Sequence, residues 1–384
     1  MMPSQVARGR GDVLLCPGPV MLSPGVKRAL SQSQIGHRDR SFSDVVARLR
    51  RNCSTLLGAG SEHSVLFVTG PATSGIEAVC ATLFPAGGTV VVPVNGTFGA
   101  RIVEILKVHG VACTPIDHGF GQPFDLSLIE AALAAQSSGG RPVFVAMTHH
   151  ETSCGLVNPV SAVCELARRH GARTFVDATS SAGVEDLDVT RDRIDACVTS
   201  SGKCLHGAPG IALVCVRREW LAARGDSQPR SFSLDLRRYH DQLEANSQTP
   251  FTPAVPIFLA LDRAVEELLE QGGVVERRRQ YQRRRAQLAQ GLASLGLPML
   301  RLPAGSEACS ILTVGVPATI GFDALYRMLR ERGYVIYGTK PPLAPLYFQL
   351  SVMGDLTDAD VSGFLAALGS VLSGPAQQYR AATA

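Results

Sequence analysis

The stretch TSSGKCLHGAPG, Thr199 to Gly210, sets a single lysine, Lys203, among small residues and glycines. A lysine so placed is either a solvated loop residue, the usual fate of that side chain, or an amine with room around it to condense with an aldehyde. Four other stretches bear on the choice, each at the end of an apolar, strand-like run. In FVTGPATSGIEAV a strand stops at a Gly-Pro turn and Thr73 opens a helix. Such a helix start offers N–H groups and hydroxyls to an anion, although threonine is also an ordinary cap. In VNGTFGARI, Phe98 sits between Gly96 and Gly99, as a core ring or as a ring that stacks on a planar group which the glycines let approach. THHETSCGLVNP supplies two histidines, a glutamate and hydroxyls, but neither H-x-x-x-H nor H-E-x-x-H spacing. Polar contacts at a ligand rim therefore suit it better than a metal. In TFVDATSSAG, Asp177 closes an apolar strand. A buried carboxylate needs a cation, which a protonated ring nitrogen would supply; the plain alternative is a helix cap or a solvated loop acid.

Taken in order, these give an anion cradle, a stacking ring, an acid and then an amine. Pyridoxal 5'-phosphate needs each of them: a helix N-terminus for its phosphate, a ring on its face, an aspartate at its pyridine nitrogen and a lysine at its aldehyde. Each motif is weak alone, and the ordered set is specific.

The elements that must hold these residues alternate from about residue 60 to 220. Strand-like runs at 64–70, 89–95, 142–150, 173–178, 196–201 and 211–216 are separated by helical stretches such as 74–83, 99–108 and 161–170. Continuous apolar strands between helices predict an α/β fold with a mostly parallel sheet covered on both faces. After residue 250 the pattern changes to a helix, a long helix over about 274–295, strands at 309–316, 334–338 and 347–353, and helices at 321–332 and 357–372. The division expected is a large domain over 13–270, a small α+β domain over 271–376, and flexible tails at 1–12 and 377–384. The chain has 384 residues, 45% of them hydrophobic, and a formal net charge of +4, too small to argue for a nucleic-acid partner. The basic run ERRRQYQRRR, Glu276 to Arg285, has helical spacing and suits a solvated helix face. Ten cysteines are scattered without a C-x-x-C pair, the N-terminus is polar, and no apolar run is long enough to span a bilayer. The expectation is a cytoplasmic protein with reduced thiols.

With those residues in hand, the chain resembles the fold-type I pyridoxal-phosphate enzymes of the class V aminotransferase group, most closely the 2-aminoethylphosphonate–pyruvate aminotransferases. The resemblance runs from LLCPGPVMLSPGVKRAL to VIYGTK and is most specific over HHETSCGLVNP, FVDATSSAG and VTSSGKCLHGAPG. It implies a large domain with a seven-stranded sheet flanked by helices, and a small C-terminal domain, with segment 13–40 packing at the active site or small domain. It implies that Lys203 holds the cofactor aldehyde and shuttles the proton, that Asp177 pairs with the pyridine nitrogen, and that Phe98 stacks on the ring. Ala72 and Thr73 would bind the phosphate, Thr152 would contact the side of the ring hydroxyl, and Thr179 and Ser201 would line the cofactor. Thr252, in PFTPAVP, matches a threonine that reaches the phosphate of the partner subunit, so a homodimer with shared sites is implied. GHRDRSF, with His37 and Arg38, resembles a phosphate-recognising stretch of the phosphoserine aminotransferases; a helix-start ion pair is the plain alternative.

The resemblance implies transfer of the amino group of 2-aminoethylphosphonate to pyruvate. One position departs from the family: Gln349, in YFQLSVMGD, stands where an acid-binding arginine is expected. Glutamine lacks the charge and the bidentate fork, and Lys340 would compensate only as a point charge. A lyase, or an aminotransferase of a modified aminophosphonate or an amino acid, is the alternative. A cysteine desulfurase would need a mobile, reactive cysteine, for which Cys309, opening an apolar run, is ill placed. A binding protein without turnover would not need both Asp177 and Lys203, and a nicotinamide dehydrogenase would need the absent G-x-G-x-x-G.

Overall fold

The computed structural model describes residues 12–32, 35–85, 87–137, 140–223 and 230–374. The tails expected at 1–12 and 377–384 lie outside the described residues, except Asp12. The chain divides into two compact units: a larger one of Leu22–Arg279 with Leu302–Cys309, and a smaller one formed by the described parts of Met1–Met21, Gln280–Arg301 and Ser310–Ala384.

In the larger unit a seven-stranded sheet runs in the order His63–Thr69, Ile211–Arg217, Ala196–Ser200, Arg173–Asp177, Val143–Thr148, Thr89–Val94, Ala112–Asp117. The strand Ile211–Arg217 is antiparallel to both of its neighbours, and the other pairings are parallel. Helices Ala72–Thr82, Thr97–Val108, Leu126–Ser137 and Val160–Arg169 pack on it. That cover is why Val65–Val68, Val90–Val92 and Val145–Met147 are apolar without alternation and almost fully buried. The seventh strand, Ala112–Asp117, is missing from a reading of apolar runs because ACTPID is half polar and carries Pro115. At an edge, that composition stops another chain from adding to the sheet.

Register decides what the sheet presents. Thr148 pairs with Asp177 and Asp177 with Val198. Thr69 and Ser200 lie opposite the adjacent Ile211 and Ala212 on the antiparallel strand between them. The carboxyl ends of the parallel strands therefore finish on one edge, where open α/β sheets bind their ligands. Beneath, Phe258 makes edge-to-face contacts with Phe42 (5.5 Å) and Phe67 (5.6 Å). These rings lock helices Arg40–Leu57 and Val255–Glu270 to the strand His63–Thr69, with Arg48 paired to the buried Asp262 between the same two helices.

The smaller unit has a three-stranded antiparallel sheet, Ile311–Gly315, Tyr347–Ser351, Tyr337–Gly338. The single strand expected at 334–338 is two: Tyr334–Val335 pairs with Val13–Leu14, and Tyr337–Gly338 pairs with Gln349–Phe348. Its last helix, Asp358–Ser373, opens with a reciprocal capping box between Thr357 and Asp360. Among the described residues no helix is long and apolar enough to cross a membrane.

Removing the Phe258 ring should leave a cavity at the junction of two helices and a strand. Phe258→Ala is expected to lower unfolding free energy in urea by about 3–5 kcal/mol. A loss below about 1 kcal/mol would show that the surrounding side chains close over the gap.

Candidate active site

Lys203 stands half-buried in the loop between strands Ala196–Ser200 and Ile211–Arg217. The neck of this loop is closed by Ser201, which is fully buried. Its hydroxyl donates to Ala208 O (2.5 Å) and accepts from Ile211 N (3.2 Å). Gly207 allows Ser201 O to approach so closely that a Cβ there would lie 2.8 Å from it. Beyond the lysine, His206 turns with φ 60° and donates its N–H to Lys203 O (3.0 Å). The next residue, Cys204, is tied down by the buried Arg277, whose guanidinium donates to its carbonyl (2.9 Å). Both sides of Lys203 are thus fixed by the backbone of the loop.

Asp177 ends its strand 5% exposed. Thr179 donates both its N–H (2.9 Å) and its hydroxyl to Oδ1 of Asp177, and Oδ2 receives no hydrogen bond among the described residues. Burial pushes the carboxyl group's pKa up; the Thr179 bonds, then the charges of Arg101 and Lys203, oppose it. An oriented carboxylate with one satisfied oxygen and one open oxygen is what a protonated ring nitrogen needs.

The segment from His149 to Ser153 is bound to that aspartate turn. His149 N donates to Asp177 O (2.9 Å), His150 Nδ1 meets Ser180 O (3.0 Å), and the Thr152 hydroxyl donates to Ser180 Oγ (2.7 Å). The same segment reaches the helix that carries Phe98. Glu151 accepts from Phe98 N and Gly99 N, and Ser153 Oγ accepts from Thr97 N (3.2 Å). Asn95 and Asn158, both buried, join the two loops by a 2.8 Å hydrogen bond. Phe98 is half-buried in the first turn of Thr97–Val108, and Arg101 lies over its ring, 4.7 Å from the centroid.

The helix Ala72–Thr82 begins two residues earlier than its apolar spacing suggests, so Ala72 and Thr73 lie in its first turn. Among the described residues no side chain caps that turn; Ser74 N donates to Pro71 O (2.9 Å), and the N–H groups ahead of it suit an anion. Gly75 seats the helix on the sheet: a Cβ there would come within 2.9 Å of both Val198 and Ala212. Val198 belongs to the strand that leads into the Lys203 loop, so the anion turn and the amine share one support. The open Oδ2 of a buried aspartate and an uncapped helix start together fit a phosphorylated, protonated heteroaromatic ring.

Arg38, His37, Thr252, Gln349 and Lys340 complete the expected set. The Arg38 guanidinium donates to Gln248 Oε1 (3.0 Å), Thr249 O (3.0 Å) and Pro250 O (3.4 Å), so it clasps the loop leading to Thr252. Thr252 itself is exposed, and His37 is half-buried beside Arg38 in the sequence. In the smaller unit, Gln349 is buried in the middle strand opposite Thr313 and Tyr337, and Lys340 is exposed in the turn before that strand. From the sequence, Glu151 and Ser153 are expected as polar contacts at a ligand rim, and Asn95 and Asn158 carry no signal. The link of Glu151 to the Phe98 helix is hinted at by Gly96, where a Cβ would lie 2.4 Å from the Glu151 carboxyl carbon.

His149 and His150 are buried, and desolvation lowers each imidazole from 6.5 to about 4. A proton binds them more weakly in the folded chain than in the unfolded one. Their stability contribution is therefore complete above pH 6.5 and is lost as the pH falls toward 4. At about pH 5 each histidine should cost about 2 kcal/mol relative to neutral pH. Urea unfolding of His149→Gln is expected to show a correspondingly shallower decline between about pH 7.5 and about pH 5. Parallel declines in variant and parent would disprove the assignment.

The class-V aminotransferase family model matches residues 27–339. The chain is 34% identical over 365 residues to 2-aminoethylphosphonate–pyruvate transaminase 1 of Polaromonas sp., covering 94% of this chain and 96% of that protein. It is 33% identical over 368 residues to the 2-aminoethylphosphonate–pyruvate transaminase of Cupriavidus necator, covering 95% and 96%. Among solved structures, ureidoglycine–glyoxylate aminotransferase of Bacillus subtilis superposes with TM-score 0.86 at 26% identity, covering 97% and 98% of the two chains. Alanine–glyoxylate aminotransferase of Nostoc sp. shares the fold, with TM-score 0.87 at 24% identity and 97% of both chains covered. With the ordered site residues on this sheet edge and near full-length likeness to these proteins, the chain belongs to the class-V aminotransferases and is a pyridoxal-phosphate-dependent enzyme.

Proposed function

We propose that this enzyme moves the amino group of 2-aminoethylphosphonate to pyruvate, giving phosphonoacetaldehyde and alanine, as a cytoplasmic homodimer. The observation that carries the reaction class is the buried Asp177 with an open Oδ2, one strand and one turn ahead of Lys203. The substrate pair rests on the relatives of that name, matched along nearly the whole chain.

When bound, pyridoxal phosphate supplies an aldehyde that takes up amines and a ring that draws electrons from the carbon next to the nitrogen. The chain's residues do the rest. Asp177, oriented by Thr179, holds a proton on the ring nitrogen and so keeps the ring electron-poor. Phe98 fixes the ring's plane, and the first turn of the Ala72–Thr82 helix holds the phosphate. The Lys203 amine would hold the cofactor aldehyde and, when free of it, would carry a proton from the substrate carbon to the cofactor carbon that bore the aldehyde. Thr152 and Thr179 stand beside the ring as polar contacts, while Ser201 holds the shape of the lysine loop. Thr252 is proposed to serve the partner's phosphate, with Arg38 keeping its loop in place.

Gln349 sets the open question of substrate. Without a guanidinium, the acceptor's carboxylate has hydrogen bonds and the Lys340 charge to rely on, which favours as a second reading another acceptor or a lyase reaction. A desulfurase is disfavoured because Cys309 is buried and its thiol is pushed up by that burial, so no thiolate is available.

Purified enzyme should be yellow, and borohydride should attach the cofactor to Lys203. Lys203→Ala should lose that attachment and slow turnover by about 10²–10⁴-fold, the range of a positioned proton-transfer group. Single-turnover mixing with 2-aminoethylphosphonate should convert the cofactor to its amine form, whereas alanine, serine and phosphoserine should convert it more slowly. Ready conversion by one of those amines, and none by the phosphonate, would move the assignment to that amine. Gln349→Arg should raise kcat/KM for the keto acid and leave the donor half-reaction unchanged. An unchanged keto-acid profile would remove Gln349 from acceptor recognition.

A further inference from the structure

We infer that Glu151 is a positioning residue that sets the cofactor's stacking platform, by serving as the cap of the Phe98 helix from 53 residues away. The inference rests on the reading that Phe98 stacks on the cofactor.

The helix Thr97–Val108 follows Gly96, a residue with no side chain to satisfy the first N–H groups. The segment Glu151–Ser153 satisfies them instead. Thr97 N donates to Ser153 Oγ (3.2 Å), and Phe98 N and Gly99 N donate to Glu151 Oε2 (3.1 Å each). The following N–H, of Ala100, makes the first bond within the helix, to Gly96 O (3.1 Å). Glu151 Oε1 is held in turn by Ser153 N (3.3 Å) and by the Ser153 hydroxyl.

This cap differs from an ordinary one in three respects. It is ionic and has no solvent exposure, so its bonds are stronger than those of a surface serine and their loss costs more. It lies at the positive end of a helix dipole, which favours the charge. It also belongs to the stretch that carries Thr152 and is bound through His149 N to the Asp177 carbonyl. One carboxylate therefore ties the stacking ring to the turn that presents Asp177, and the plane of Phe98 is referred to the aspartate rather than left to its own helix. Gly96 is required for this approach, since any Cβ would collide with the Glu151 side chain.

A double-mutant cycle on the full chain, stripped of cofactor and titrated with pyridoxal phosphate, separates this role from general stability. Glu151→Gln places an amide N–H₂ against backbone donors; it should weaken cofactor binding roughly ten- to a hundredfold and alter the visible-region circular dichroism of bound cofactor. In a Phe98→Leu background the same change should alter binding by no more than about twofold. Should Glu151→Gln fold poorly, Ser153→Ala, which removes the Thr97 acceptor, should show the same dependence on Phe98 at smaller size. The melting temperature without cofactor serves as the control for folding. An equal loss in both backgrounds, or no loss in either while Phe98→Leu weakens binding, would overturn the inference and leave the stacking role intact. A Phe98→Leu variant with unchanged cofactor affinity would overturn the stacking role and, with it, this inference.

Discussion

The site depends first on the desolvation of one carboxylate. Asp177 ends its strand in the interior, where burial opposes its ionised form and Thr179, then Arg101 and Lys203, favour it. A charge held this way is costly until a cation meets it. Its two oxygens are treated differently: Thr179 fixes one, and the other accepts no hydrogen bond among the described residues. The remaining site elements would bring a cationic partner to Oδ2. In the proposed reading, the helix start at Ala72 and Thr73 would take the phosphate, the Phe98 ring would set a plane, and the Lys203 amine would bind an aldehyde.

Those four features can meet because of sheet register rather than loop design. Parallel strands in equal register end together, and helices returning over the sheet place their N-termini at that same edge. The antiparallel strand Ile211–Arg217 lets the lysine loop turn back into the sheet next to the strand it has just left, so the loop is short and closed by Ser201. The rings around Phe258 and the Gly75 contact support the same edge from beneath.

The legible parts of this arrangement were those whose cause is local. Asp177 and Lys203 stand out because a charge following an apolar run conflicts with its surroundings, and that conflict is written in neighbouring residues. Six of the seven strands, the edge strand His63–Thr69 included, are legible because burial on both faces demands continuous apolar residues. The edge strand Ala112–Asp117 is not, since it is largely exposed, unlike the other edge, and its position tolerates Pro115. The true starts of the Ala72 and Thr97 helices are hidden for another reason: neither has a local side-chain cap, and the first N–H groups of the Thr97 helix are met by a distant segment, Glu151–Ser153. Arg38 shows the same reach. Its stretch resembles an anion site, yet its donors go to carbonyls more than 200 residues away in sequence.

Glu151 shows why chemistry read from residue types alone stops short. It and Asp177 are both buried acids whose pKa is raised by desolvation, both follow apolar strands, and both precede hydroxyl residues. Sequence gives no means of telling them apart. Hydrogen bonding does: Glu151 accepts from four donors shared over both oxygens, whereas Asp177 accepts from two on a single oxygen. A carboxylate satisfied at both oxygens by its own chain has become part of the scaffold. One left open at a single oxygen keeps the desolvation cost until a ligand cation offsets it, and the same unmet demand makes binding of that cation favourable and directional. The distinction between holding the site and doing its chemistry therefore lies in how completely each buried acid is bonded.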